Sequence, residues 1–278
     1  MNNKPAILGV FAHPDDECYG PGGTLARYAL EGYPVHILTF TRGEAGSLGS
    51  SRRFTREELA CRREEELAAA CRALGVAGHR IVGAPDGAVE GIGREAGARE
   101  VLDEIMRTRP QVLITFDEKG ISGHADHRAV TLFTRIAYLR AGAEGPARIY
   151  EYGISATAAA RLSLHRKKPI LPIRDHEREA VIRVSDEAMD RKIEAIRRHR
   201  TQTAFYRQLR RAFEDYREAT REELFRLVFE RGEPSAGPLP SRFSVLDPED
   251  DENRPCAESL FPYGSSAAPD PSPRRRSP

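Results

Sequence analysis

The chain is poor in cysteine. Its four, Cys18, Cys61, Cys71 and Cys256, include no CxxC pair. With no secretory leader visible ahead of them, reduced thiols in the cytosol are the expected state rather than a disulfide framework. Long apolar runs are missing as well. The longest are strand-sized, such as Ala6–Ala12 (AILGVFA), so no segment spans a bilayer. That first run meets His13, Asp15, Asp16 and Glu17 at once, which breaks up a signal h-region and leaves no small-residue cleavage site. Neither charge sign predominates: 43 basic and 42 acidic residues leave +1. Nothing therefore draws the whole chain to nucleic acid or membrane. The basic runs Arg166–Lys168 and Arg274–Arg276 lack the interleaved aromatics of a single-strand binder. No internal repeat is visible. The expectation is a cytoplasmic protein with a small-molecule partner, as a monomer or a homo-oligomer.

A length of 278 residues suits one full α/β domain with additions. The first half alternates. Ala6–Ala12, Val35–Thr41, Arg80–Ala84, Val112–Phe116 and Ile149–Ile154 read as strands. Gly22–Gly32, Leu59–Leu74, Ala98–Arg107 and Asp126–Leu139 read as helices between them. This order predicts βαβ units and a mostly parallel sheet with helices on both faces. Val181–Val184 reads as an edge strand, and Asp186–His199 as a helix capped by Ser185. Phe205–Arg231 reads as a long charged helical stretch. The domain reading is therefore an α/β domain over 1–205, a helical extension over 206–232, and a Pro-, Ser- and charge-rich segment over 233–278 ending in a disordered tail.

Two clusters carry chemistry. The first strand runs straight into AHPDDE, His13 to Glu17. Ligands of parallel sheets bind at the carboxyl ends of strands. Adjacent carboxylates there are unfavourable without a cation. One reading makes His13 and Asp16 metal ligands, with Asp15 facing a reacting centre. The other makes the acids caps of the next helix. After Val112–Phe116 comes DEKGISGHADHRAV, with His124 and His127 three residues apart and Asp126 between them. Asp126 can orient and charge a histidine; alternatively it is a helix N-cap beside two surface histidines.

Taken together, the clusters supply two histidines and one aspartate from one sheet edge. Three protein ligands and an open position are what catalytic zinc uses. Asp15 is then free to act as general base, and His124, charged through Asp126, to stabilise an oxyanion or protonate an amine.

AHPDDE and GHADHRAV together resemble the N-acetylglucosaminyl-phosphatidylinositol de-N-acetylase family, whose bacterial members include the deacetylases of mycothiol and bacillithiol biosynthesis. TRGEAG (Thr41–Gly46), Arg63, Glu66, Ala70, Leu74, Gly75, PDG (Pro85–Gly87), Lys192, Ala195, His199 and Gln202 agree with its pattern, so the resemblance covers about residues 6 to 205. It implies a Rossmann-like fold and a Zn2+ (or Fe2+) hydrolase that deacetylates an N-acetylated amino-sugar conjugate. His13, Asp16 and His127 would be the metal ligands, and Asp15 the general base. His124 would be the polarising or proton-donating residue, supported by Asp126, with Arg63 and Asp86 as sugar contacts. Ala125 stands where proline is frequent. Ser122 stands where some members carry tyrosine, which argues against the mycothiol branch.

Other readings remain open at this level. Arg63 sits in RREEE and Asp86 in a turn, where solvated or turn-forming roles suffice. His199 either faces the cleft or lies near a helix end at the surface. His36, His79, His165 and His176 read as structural. Thr41–Thr55, with Arg52 and Arg53, reads as a loop that helps select the substrate. A different zinc hydrolase on the same fold fits the spacing equally. A dinucleotide-binding oxidoreductase fits less well, because Gly20, Gly22 and Gly23 come late after the strand and Leu25 replaces the third glycine.

Overall fold

The computed structural model describes residues 4–46, 54–164, 169–174, 180–231 and 260. Arg52, Arg53, Cys256, His165, His176, both basic runs and the tail from Glu233 onward, Leu260 apart, lie outside them. In chain order the elements are β1 (Ala6–Phe11), α1 (Asp16–Tyr19), α2 (Gly22–Leu30), β2 (Val35–Thr41), α3 (Arg56–Leu74), β3 (Gly78–Ala84), α4 (Arg94–Thr108) and β4 (Pro110–Phe116). They continue with α5 (Gly120–Gly123), α6 (Ala125–Arg140), β5 (Arg148–Gly153), α7 (Ala156–Ser163), β6 (Ala180–Arg183), α8 (Asp186–Arg198), α9 (Thr203–Ala212), α10 (Tyr216–Ala219) and β7 (Glu222–Glu230).

The strands form one sheet in the order β3-β2-β1-β4-β5-β7-β6. The first five are parallel; β7 and β6 are added antiparallel. All of β1 is buried, as a continuous apolar run in a covered sheet should be. α2, α3 and α8 pack together, and α4 packs on α6 beneath β1 and β4, so helices cover both faces of this α/β sheet. α3 opens with a capping box: Glu58 N–H donates to Thr55 Oγ1 (3.2 Å) while Glu58 Oε2 accepts from Thr55 N–H (2.7 Å). Ser185 caps α8 as the sequence suggests, accepting from Ala188 N–H at 3.3 Å. Among the described residues no helix is long and apolar enough to cross a membrane.

The C-terminal stretch departs from the expected helix. α9 stops at Ala212, and Glu222–Glu230 forms a strand instead. The Glu- and Arg-rich residues that precede it favour helix, but β5 offers an unpaired backbone edge. Leu224 and Phe225 gain full burial by taking that edge. The next residue, Arg226, donates to the buried Glu151 at 2.7 Å.

β7 also supplies Glu223, which reaches the start of α2. Its carboxylate accepts from Gly23 N–H (2.9 Å) and Thr24 N–H (2.7 Å), and Lys192 from α8 donates to it at 2.6 Å. Both side chains are almost wholly buried. A β-carbon on Gly23 would lie 2.5 Å from Val184 and 2.8 Å from the same carboxylate, so the glycine exists for close packing. A helix N-terminus in this place is where a dinucleotide phosphate would bind. Here a carboxylate of the protein fills it, which removes the physical basis for the oxidoreductase reading. Glu223→Ala should leave Lys192 buried and unpaired and cost about 3–5 kcal/mol in urea unfolding. Added NAD or NADP should leave the unfolding temperature unchanged.

Candidate active site

β1 is followed by a crossover to β2 on one side, and its other neighbour β4 by a crossover to β5 on the opposite side. The carboxyl ends of β1 and β4 therefore flank the topological switch point, where a crevice forms. The two motif clusters leave the sheet there, His13–Glu17 after β1 and His124–His127 after β4.

The turn after β1 is held tightly. His13 N–H donates to Asp16 Oδ2 at 2.8 Å. Asp15 adopts φ 132°, ψ −23°, a strained backbone for a residue with a side chain. His13 and His127 face each other with Nδ1 and Nε2 3.2 Å apart. Asp16 bridges them, Oδ2 lying 3.4 Å from His13 Nδ1 and Oδ1 3.4 Å from His127 Nε2. His127 is fixed from behind by Phe116, whose ring stacks on it at 3.9 Å between centroids. His124 brings a further ring nitrogen within 4.8 Å of those of His13 and His127.

The carboxylates settle the protonation pattern. Burial works against charge on His13, but its hydrogen bonds to Asp126, Asp16 and Asp86 prevail and lift its pKa to about 12. Burial would raise Asp16, yet His127 and His13 hold it well below the ordinary carboxylate range. Burial drives His127 down to about 4. The same effect, helped by the charge on His13, lowers His124. Asp15 is pushed up to about 6 by burial, with Arg63 opposing.

Three expectations change here. Asp126 does not charge His124. Its carboxylate accepts from Gly87 N–H (2.7 Å) and Val89 N–H (3.0 Å) and sits 3.1 Å from His13 Nε2. His124 instead caps α6, its Nδ1 accepting the Asp126 N–H at 3.3 Å. The reason is the loop after β3, whose backbone donors meet Asp126 first. Arg63 is 3% exposed and faces no open cleft. It donates to Gly43 O (3.0 Å) and Pro14 O and lies 3.3 Å from Asp15 Oδ2. Gly43, at φ 75°, leaves room for it: a β-carbon there would lie 2.5 Å from the guanidinium. Asp86 accepts from Ala45 N–H (2.8 Å) and lies 3.2 Å from His13 Nε2, so it clamps the loop after β2 rather than standing free for a sugar.

Two residues that the sequence left open, Glu17 as one acid of AHPDDE and His199 as facing either the cleft or the surface, come together here. Glu17 is fully buried, and His199, arriving from the end of α8, meets it at 2.7 Å. The third acid of AHPDDE and the apolar spacing of α8 were the available signals. Because Arg63 is the largest compensation for the buried Asp15 carboxylate, Arg63→Ala should cost about 3–5 kcal/mol of stability by chemical unfolding. Arg63→Lys should recover only part, since an ammonium cannot span the acceptors a guanidinium holds.

Comparison with known proteins agrees with this architecture. The family model described as GlcNAc-PI de-N-acetylase matches residues 8–138. A 1D-myo-inositol 2-acetamido-2-deoxy-alpha-D-glucopyranoside deacetylase of Acidothermus cellulolyticus is 34% identical over 233 residues, covering 72% of this chain and 80% of the relative. The protein of the same name from Salinispora arenicola is 38% identical over 167 residues. That match covers 52% of this chain and only about half of the relative, 54%. The Ser122 departure does not keep the chain from resembling proteins of that name. The structure of N,N'-diacetylchitobiose deacetylase from Pyrococcus horikoshii superposes with a TM-score of 0.61 at 20% identity, covering 81% of this chain and 84% of that one; it speaks for the fold alone. With a relative matched over four fifths of its length and the family model seated on both motif clusters, the chain belongs to the GlcNAc-PI de-N-acetylase family.

Proposed function

We propose that the protein hydrolyses the acetamide of an N-acetylglucosamine-type conjugate, using a divalent metal held by His13, Asp16 and His127. One observation carries this reading. His13 Nδ1 and His127 Nε2 stand 3.2 Å apart, and the Asp16 carboxylate lies against both, Oδ2 3.4 Å from the first and Oδ1 3.4 Å from the second. A cation bound about 2.0–2.1 Å from each of three tetrahedral ligands needs roughly that spacing. Two nitrogens and one carboxylate oxygen suit Zn2+, and Fe2+ as a second choice. Asp126 and Asp86 on the far nitrogen of His13 are the outer carboxylates that orient a ligand histidine. The names of the curated relatives support an acetylated glucosamine as the substrate core and a soluble small molecule as the partner.

A metal ion at such a site supplies Lewis acidity and brings the pKa of water toward about 7. Asp15 accepts the proton of the attacking water at its carboxylate, which burial has already made more basic. Arg63 keeps that carboxylate in place. His124 receives the Asp126 N–H at Nδ1, so its proton resides on Nε2. As a neutral donor it offers that proton to the oxygen that gains charge when the carbonyl is attacked. The proton on Asp15 then passes to the departing amine, and acetate remains.

Release of free amine from inositol-linked N-acetylglucosamine, N,N'-diacetylchitobiose and free N-acetylglucosamine should detect turnover of at least one. Asp15→Ala should lower kcat by about 10²–10⁴-fold. No release from any of them would overturn the substrate class.

His13 carries a proton in the metal-free site, so metal uptake must expel it. Calorimetric zinc titration in buffers of different ionisation heat should read about one proton released near neutral pH. Affinity should tighten as pH rises and be lost in Asp16→Asn and His127→Ala. Uptake without proton release would show that His13 is already neutral in the free site.

A further inference from the structure

The base at Asp15 is held in a posture that its own backbone resists. At φ 132° the residue lies outside the regions that side chains tolerate, a state that persists only where surroundings over-determine it. Its flanking peptide groups are all occupied. Arg63 holds Pro14 O. Asp15 O accepts from Cys18 N–H and Tyr19 N–H, both at 3.1 Å. Asp15 N–H donates to Glu17 Oε2 at 2.9 Å. The other oxygen of Glu17 meets His199 Nε2 at 2.7 Å, and neither side chain has any exposed surface. His199 therefore fixes the Glu17 carboxylate, which fixes the Asp15 peptide, from 182 positions later in the chain.

We propose that Glu17 and His199 are positioning residues, a buried strut that holds Asp15 in the orientation its catalytic role requires. The proposal rests on the deacetylase reading above. A pair retained only for stability would be poorly made this way. Among the described residues His199 Nδ1 is buried without a hydrogen-bond partner, and apolar replacements of buried pairs are frequently neutral. Among the described residues the Glu17 carboxylate meets Asp15 N–H, His199 and the Cys18 thiol, none of them a proposed metal donor. Loss of the strut should therefore displace the base and leave the metal in place. The supporting residue comes from α8, beyond the 8–138 segment that the family model matches.

The test compares the parent, Asp15→Asn, His199→Ala, His199→Gln, Glu17→Gln and the Glu17→Gln/His199→Ala double variant. Each is measured for kcat and KM on the inositol-linked N-acetylglucosamine probe and for zinc affinity by chelator competition. His199→Ala should lower kcat about 10–100-fold, the scale of a base displaced by about 1 Å, with KM and zinc affinity within roughly threefold. His199→Gln, whose amide can still donate to Glu17, should recover most of the rate. The double variant should be no worse than the poorer single variant, because one strut can be broken only once. If His199→Ala does not fold, His199→Gln and Glu17→Gln carry the comparison. The proposal is overturned if Asp15→Asn is inactive while the strut variants keep parental kcat. It is also overturned if their losses appear equally in zinc affinity and KM, which would mark a structural pair. If the parent turns over no probe, the deacetylase reading falls and the proposal with it.

Discussion

Carboxylates crowd the end of β1. Asp15, Asp16 and Glu17 leave the strand together, and Asp86 and Asp126 arrive from the loops after β3 and β4. Side by side in a buried turn, such charges repel, and the architecture around them answers that repulsion. His13 sits among Asp16, Asp86 and Asp126 and takes a proton in consequence. Arg63 is drawn from α3 to Asp15, and His199 from α8 to Glu17. The neutrality of His124 and His127 follows too, since burial and a charged His13 leave no reason for more positive charge beside it. The divalent cation proposed at His13, Asp16 and His127 would answer the same repulsion with positive charge.

The parallel half of the fold was legible because its physics is local. Ala6–Ala12 read as a buried strand from unbroken apolar content, Val35–Thr41 as a strand from its β-branched and aromatic residues, and Ser185 announced α8 by capping chemistry. Glu222–Glu230 was not legible. It lies in a long stretch rich in Glu and Arg that reads as helix, and its Leu, Phe and Val become a strand only on the open edge of β5, a partner more than 60 residues away in sequence.

The site divides along the same line. Its members could be named because they stand in two short motifs at strand ends. Their pairings could not. That Asp126 attends His13 rather than its neighbour His124 depends on the Gly87 and Val89 N–H groups, and hence on how a third loop folds back. Arg63 looked like one charge among many on α3; what singles it out is the space left beside Gly43. Glu17 and His199 lie 182 positions apart and become partners only when α8 docks.

That separation has a consequence for how the protein is made. A nascent chain extended to Arg140 already contains His13, Asp16, His127, Asp15 and Arg63. It lacks His199, which steadies Glu17, and both Lys192 and Glu223, which close the N-terminus of α2. The proposed metal donors are thus synthesised well before the residues that hold Glu17 and seal the neighbouring helix. On the function proposed above, a chain emerging from the ribosome carries every metal ligand before it carries the residue that steadies the base.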